Sequence, residues 1–359
     1  MGKGIEGNGS GGFTTGNGYV SSPSNFQNVA LAEFNGDGRM DVAVTDPGND
    51  AVVVLRGVPR VAAKVGIWRP ALFNMVAEDV SGNIAWDSPP DQANFFGATG
   101  DTVIYGDWDG SGKTKMGIFR ITNGAAMFAL DSNGNGMWDP GIDQFGFFGQ
   151  PGDIPIVGDW TGDGKTKIGI YRPTTGLFAL DVNGNLTFDG GVDRTGKFGT
   201  GGDTPIIGDW TGNGISRVGT FNNGVWSLDV DNTLTISAGD SFGVFGQAGD
   251  TPLLGDWSGD GRTKVGIYRS AGGIFGLDYN GNLVFDGPDK GGVFGPGGAG
   301  IIPVVGDWDG TGVSRIGILD NRTWGIWSLD MNGNIAWDPG TDAFGAFGAA
   351  GDTPAIGKW

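Results

Sequence analysis

From about residue 100 onward the chain alternates short apolar runs with clusters of Gly, Asn, Asp and Pro. One stretch reads KIGIYRP (167–173), then LFALD (177–181), an Asn-Gly turn, and LTFD (186–189). Another opens on TPIIGDW (204–210). Runs this short, bounded by turn formers, predict strands rather than helices. Few windows are long enough for a helix without a Gly or Pro breaker, each of which costs helical stability. The longest, 225–238, places Trp226, Leu228 and Val230, then Leu234, Ile236 and Ala238, at alternate positions. Alternation of that kind is a strand period. Apolar residues fall on both sides of the predicted strands, so both faces of each sheet must be covered.

The pattern repeats. Gly-Asp-Trp recurs at Gly106, Gly158, Gly208, Gly255 and Gly306, and an altered copy, Gly357-Lys358-Trp359, ends the chain. Each unit of about 51 residues holds four predicted strands, the signature of a β-propeller blade. A lone blade cannot bury both faces, whereas blades stacked around an axis do. Segment 51–70 aligns without gaps on 102–121, which predicts six repeats over 51–352. The 50 residues before them and the strand TPAIGKW (353–359) after them together match one further blade. The expectation is an all-β fold, a single β-propeller domain over 1–359, with seven four-stranded blades. In it, residues 1–50 and 353–359 form a composite closing blade that removes an exposed sheet edge. Six blades with an N-terminal appendage is the alternative.

The stretch NVALAEFNGDGRMDVAVTD (28–46) resembles the FG-GAP or VCBS repeat of bacterial surface proteins and integrin-type propellers. PIVGDWTGDGKTKIGIYRP (155–173) is similar to a related bacterial extracellular repeat. The resemblance implies adhesion, ligand-binding or spacer roles. It also implies a calcium loop with oxygen ligands at positions 1, 3, 5 and 9 and a carbonyl near 7. Glu33, Asn35, Asp37 and Asp41 occupy those positions in the N-terminal copy, with Glu where the family has Asp. A hairpin turn whose Asn and Asp cap their own backbone is the plain alternative. The Gly-Asp-Trp loops depart from the family. Their ninth residue is Lys115, Lys167, Arg217, Lys264 or Arg315, and a cation there predicts that the basic side chain replaces the ion.

A second loop, Asp-x-Asn-Gly-Asn-x-x-x-Asp, follows later in each unit. Its copies are Asp131, Asn133, Asn135, Asp139; Asp181, Asn183, Asn185, Asp189; Asp278, Asn280, Asn282, Asp286; and Asp330, Asn332, Asn334, Asp338. The first copy is Asp79, Ser81, Asn83, Asp87, and Asp229, Asp231, Thr233, Ser237 has lost the last carboxylate. Oxygen ligands at this spacing make the loops candidate calcium sites of weak, extracellular-type affinity. Asn-Gly is equally a strong hairpin signal, so plain turns stand beside that reading.

Composition narrows the chemistry. With 40 acidic and 22 basic residues the formal charge is −18, which disfavours nucleic acid and anionic membrane surfaces. The chain has no Cys and no His, removing disulfides, thiolate metal sites and the commonest general base. A metal would have to be held by oxygen, which points to Ca2+. No apolar run is long enough to insert in a membrane. Residues 1–12 are Gly-rich without the apolar stretch of a signal peptide, which leaves secretion and intracellular residence both open from residue pattern alone.

Trp108, Trp160, Trp210, Trp257 and Trp308 recur once per blade. They read as wedges between blades or, alternatively, as sugar-stacking platforms of a propeller lectin. Phe-Gly pairs such as Phe148-Gly149 read as core. No residue set breaks the repeat as an active site would. The expected function is a non-enzymatic binding or adhesion scaffold, secreted or at the cell surface, that meets an extracellular protein or glycan. A multivalent carbohydrate-binding lectin is the alternative, and a two-carboxylate glycosidase a distant third.

Overall fold

The computed structural model describes residues 61–70 and 74–359, together with the backbone of five short strands before them. The chain parts into two units, Met1–Val61 and Ala62–Trp359. In the first, Val29–Ala32, Asp41–Asp46 and Ala51–Leu55 form a three-stranded antiparallel sheet, and Glu6–Gly7 pairs with Phe13–Thr14. The candidate ligands Glu33, Asn35, Asp37 and Asp41 have side chains outside the described residues.

The second unit is a six-bladed propeller, and every blade is a four-stranded antiparallel sheet. Blade 3 is typical: Ile154–Gly158 innermost, then Lys167–Arg172, Leu177–Leu180 and Arg194–Lys197. Blades 2, 4, 5 and 6 begin at Thr102–Gly106, Thr204–Gly208, Thr251–Gly255 and Ile301–Gly306. The count is therefore six, not seven. Strand Thr353–Gly357 becomes the innermost strand of blade 1, paired with Lys64–Arg69, which continues to Met75–Glu78 and Gln92–Phe95. Ala51–Leu55, which the gap-free alignment put in that innermost place, pairs instead with Asp41–Asp46. TPAIGKW matches TPIIGDW more closely than AVVVLRG does, and it supplies the Trp that the blade packs on.

Burial peaks in the second and third strands of a blade. The second strand of blade 3, KIGIYR, is buried on both faces up to its last residue, while the outermost strand is half-exposed. The cores straddle the seams: Trp108, Phe128 and Phe148 of blade 2 pack with Ile168, Ile170 and Leu186 of blade 3. Arg172 makes a fork of two hydrogen bonds, 2.8 and 2.9 Å, to the buried Asp153. Asp153 also accepts the Gln150 N–H and so holds the turn entering the blade. Such two-pronged charge-assisted pairs fix geometry as well as adding energy. Arg69 and Asp352 repeat the device at 2.7 and 2.6 Å, so the pair that braces an ordinary blade also ties the two ends of this unit together.

Neighbouring blades are clamped by a reciprocal pair. The Thr166 N–H donates to the Asp107 carbonyl at 2.8 Å, and the Asp107 N–H donates back to Thr166 Oγ1 at 3.0 Å. Ser216 with Asp159, Thr263 with Asp209, Ser314 with Asp256 and Thr114 with Lys358 do the same. At the sixth seam Ala63 gives its N–H to the Asp307 carbonyl and has no hydroxyl to receive the return bond.

Candidate functional site: the clefts between blades

Each Gly-Asp-Trp loop closes on its own cation. The buried Lys167 ammonium donates to Thr161 Oγ1 at 2.8 Å, Asp163 Oδ1 at 2.7 Å and the Lys165 carbonyl at 3.4 Å, and lies 3.8 Å from Asp159 Oδ1. Those groups are loop positions 3, 5, 7 and 1, so the ammonium takes the place an ion would have. Lys264 repeats this with Ser258 at 2.7 Å and Asp260 at 2.6 Å. Arg217 reaches Thr211, Asn213 and the Ile215 carbonyl, while Lys115 and Arg315 pair with Asp109 and Asp309. Partial burial pushes the Asp163 carboxyl up, but the hydrogen bonds it accepts from Lys167, the Lys165 N–H and Thr161, with the Lys167 charge, together outweigh it and leave Asp163 below the usual range.

The five tryptophans of these loops are buried, which rules them out as sugar platforms. Trp160 Nε1 donates to the Ile168 carbonyl at 2.9 Å, and its ring lies where any Cβ on Gly158 would be, 2.6 Å away. Trp108, Trp210, Trp257 and Trp308 bond the equivalent carbonyls of Met116, Val218, Val265 and Ile316. They are wedges. Phe148, Phe198 and Phe245 of the Phe-Gly pairs are buried as well.

The second loop is a plug. The buried Asp181 carboxylate accepts the N–H groups of Gly184, Asn185 and Leu186 at 2.8, 3.3 and 2.8 Å. Burial pushes this carboxyl up, against the opposing pull of those bonds. The curl it holds drives Leu186, at φ +62°, into the core of blade 2. Gly146 of blade 2 leaves room for it, since a Cβ there would meet the Leu186 carbonyl at 2.4 Å. Asn183 and Asn185 turn their Nδ2 groups onto Asp189 Oδ2 at 2.9 and 2.6 Å. The loops of Asp131, Asn133, Asn135, Asp139, of Asp278, Asn280, Asn282, Asp286 and of Asp330, Asn332, Asn334, Asp338 repeat the pattern. As placed, the inward groups include amide N–H donors, which pair with the loop's own last carboxylate. Sequence reasoning missed a third carboxylate, Asp193, which accepts the Val182 and Asp189 N–H groups.

It also missed the residue just before the loop's last Asp. Trp86, Trp138, Phe188, Phe285 and Trp337 stand there, exposed by 41–59%. Three of these rings wall equivalent clefts. Between blades 1 and 2 a cavity of about 460 Å³ is lined by Phe96, Ile118, Arg120, Met127, Trp138 and Phe145. Between blades 4 and 5 one of about 470 Å³ is lined by Phe245, Ile267, Arg269, Phe275 and Phe285. Between blades 5 and 6 one of about 370 Å³ is lined by Phe294, Ile318, Trp337 and Phe344. Trp138 leans on Phe96 at 6.2 Å and edge-on to Phe145 at 5.8 Å; Trp337 does the same with Phe294 and Phe344. The recurrent aromatic in an otherwise polar loop was the available signal. No protein-family model matches this chain, and no curated protein matches it.

Proposed function

We propose that this propeller is a non-enzymatic, multivalent binding scaffold, secreted or displayed at a cell surface, whose ligand is a glycan held in the clefts between blades. The observation that carries the reading is the recurrence of one cleft in three seams, each with an exposed Trp or Phe on its wall. Concave, largely apolar sites with a few polar groups are where small ligands bind, and exposed apolar patches mark interaction surfaces. Trp138 and Trp337 offer flat faces to the apolar side of a pyranose ring, and Arg120 and Arg269, braced on Asp101 and Asp250, add polar groups to two of the walls. Weak equivalent sites on one rigid ring gain by avidity against a repeating ligand. The resemblance of 28–46 to FG-GAP or VCBS repeats, and of 155–173 to a related bacterial extracellular repeat, supports the same extracellular setting.

The test is a glycan array with the intact protein and with the combined Trp138→Ala, Phe285→Ala, Trp337→Ala variant, with melting temperature as the fold control. Binding by the parent and its loss in a folded variant are expected. No glycan bound, or binding unchanged in the variant, overturns the reading.

A second reading, Ca2+ held in the Asp-x-Asn-Gly-Asn turns, is supported by convergence: Asn183 and Asn185 meet Asp189 on one oxygen beside Asp181. A half-turn of the two amides would replace donors by oxygens. Bound calcium would raise the melting temperature with concentration, and identical melts in calcium and chelator would refute it.

A further inference from the structure

We infer that the seam between blades 4 and 5 carries a separate pocket, on the side of the Asp-rich loops, for a neutral monosaccharide-sized polyol. It does not rest on the clefts described above. The cavity holds about 260 Å³ between the wedge Trp210 and the plug Leu283. Its mouth is left uncovered by the residue that begins the outermost strand of blade 4. At the start of its outermost strand blade 3 has Arg194, whose guanidinium crosses to the next blade's loop and donates to Asn232 Oδ1 at 2.9 Å. Blade 5 has Lys290 there, bonded to the Gly333 carbonyl at 3.0 Å. Blade 4 has Ser241, too short to cross, as is Ala343 at the same place in blade 6.

The groups around the opening divide into engaged and free. Lys264 is held by Ser258 and Asp260, and Asp278 by the N–H groups of its own loop. Among the described residues, the Arg262 guanidinium, Ser241 Oγ and Asp260 Oδ2 have no hydrogen-bond partner. A planar donor fork beside a carboxylate acceptor and a hydroxyl suits adjacent hydroxyl groups, which both donate and accept. Trp210, Leu228 and Leu283 lie buried beneath these groups and close the floor of the pocket. A chain of net charge −18, with Asp260 at the opening, disfavours an anion in the same space.

The experiment is saturation-transfer NMR and calorimetry of the whole chain with glucose, galactose, mannose and N-acetylglucosamine, and with glucuronate as the anionic comparison. One neutral sugar should saturate a site that Ser241→Lys, copying Lys290, abolishes. Arg262→Val, copying Val313, should weaken it about tenfold or more. Trp337→Ala, in the cleft between blades 5 and 6, should leave it unchanged. The inference fails if no neutral sugar binds at tens of millimolar, if glucuronate binds more tightly than every neutral sugar, or if a folded Ser241→Lys protein binds as the parent does. Loss of array binding with this pocket intact would count against the clefts alone.

Discussion

Blades 1 and 3 are built from the same parts list, but blade 3 is one continuous stretch and blade 1 is joined from distant segments. What survives in blade 1 is the bracing: Arg69–Asp352 reproduces Arg172–Asp153 in geometry. What changes is the seam. Glu78 stands where blade 3 has Leu180, Asn94 where it has Gly196, and Ala63 where it has Thr166. The plug is inverted too. Blade 2 offers Gly136 instead of a Leu, and a Cβ there would meet Asn94 at 2.3 Å, so the side chain filling the space comes from the strand rather than the loop. Ring closure thus depends on the ionic brace and innermost strand, while the packing around them tolerates a polar substitution.

The largest test removes that strand. Deleting 353–359 leaves blade 1 without its innermost strand and exposes the edge of Lys64–Arg69. Cooperative melting should be lost and aggregation should follow, as unpaired edges recruit other chains. Deleting nothing but Trp359 should be far milder, and equal melts for the full chain and the 353–359 deletion would break the closure model.

Next comes Glu78. Burial, chiefly, raises its carboxyl from 4.5 to about 7, with Asn94 opposing and Asp131 adding to the rise. Its folded form holds the proton more tightly than the unfolded chain does. The contribution favouring the fold is therefore full below about pH 4.5 and is lost as pH rises through about 7. The loss amounts to roughly 3 kcal/mol at about 1.4 kcal/mol per pH unit. Glu78→Leu with Asn94→Gly and Gly136→Leu, which installs the ordinary seam, should flatten that slope and raise stability at pH 8. A slope that persists in this folded variant would show that Glu78 is not its source.

Lys167→Met leaves Asp159 and Asp163 facing each other without their cation and should cost about 1–3 kcal/mol by denaturant titration. The smallest effect concerns the sixth seam. Ala63→Thr supplies the missing hydroxyl for the Asp307 N–H and should stabilise by about 0.5–1.5 kcal/mol. Stability unchanged there would mean that the return bond contributes little at the other five seams.

Strands, turns and four-stranded blades were legible because period-two patterning and Gly/Asn punctuation are local signals. So was the cation in the Gly-Asp-Trp loop, since Lys167 falls at a ligand position. The blade count was less legible: AVVVL and TPAIG both read as strands, and which one joins Lys64–Arg69 is decided across almost the whole chain. The third carboxylate, Asp193 and its equivalents, was hidden by its variable spacing from the first. Trp160 and Trp138 are both loop aromatics in sequence. Only packing separates them, because Trp160 folds back over Gly158 while Trp138 stays on the surface.

The central claim is that equivalent clefts between blades bind a common glycan. It is tested most directly by the stoichiometry of a soluble fragment of the best array ligand, measured by native mass spectrometry on the parent and on Trp138→Ala, Phe285→Ala and Trp337→Ala singly. Several equivalent sites are predicted, with each substitution removing one. A single site that all three substitutions leave intact would contradict the account.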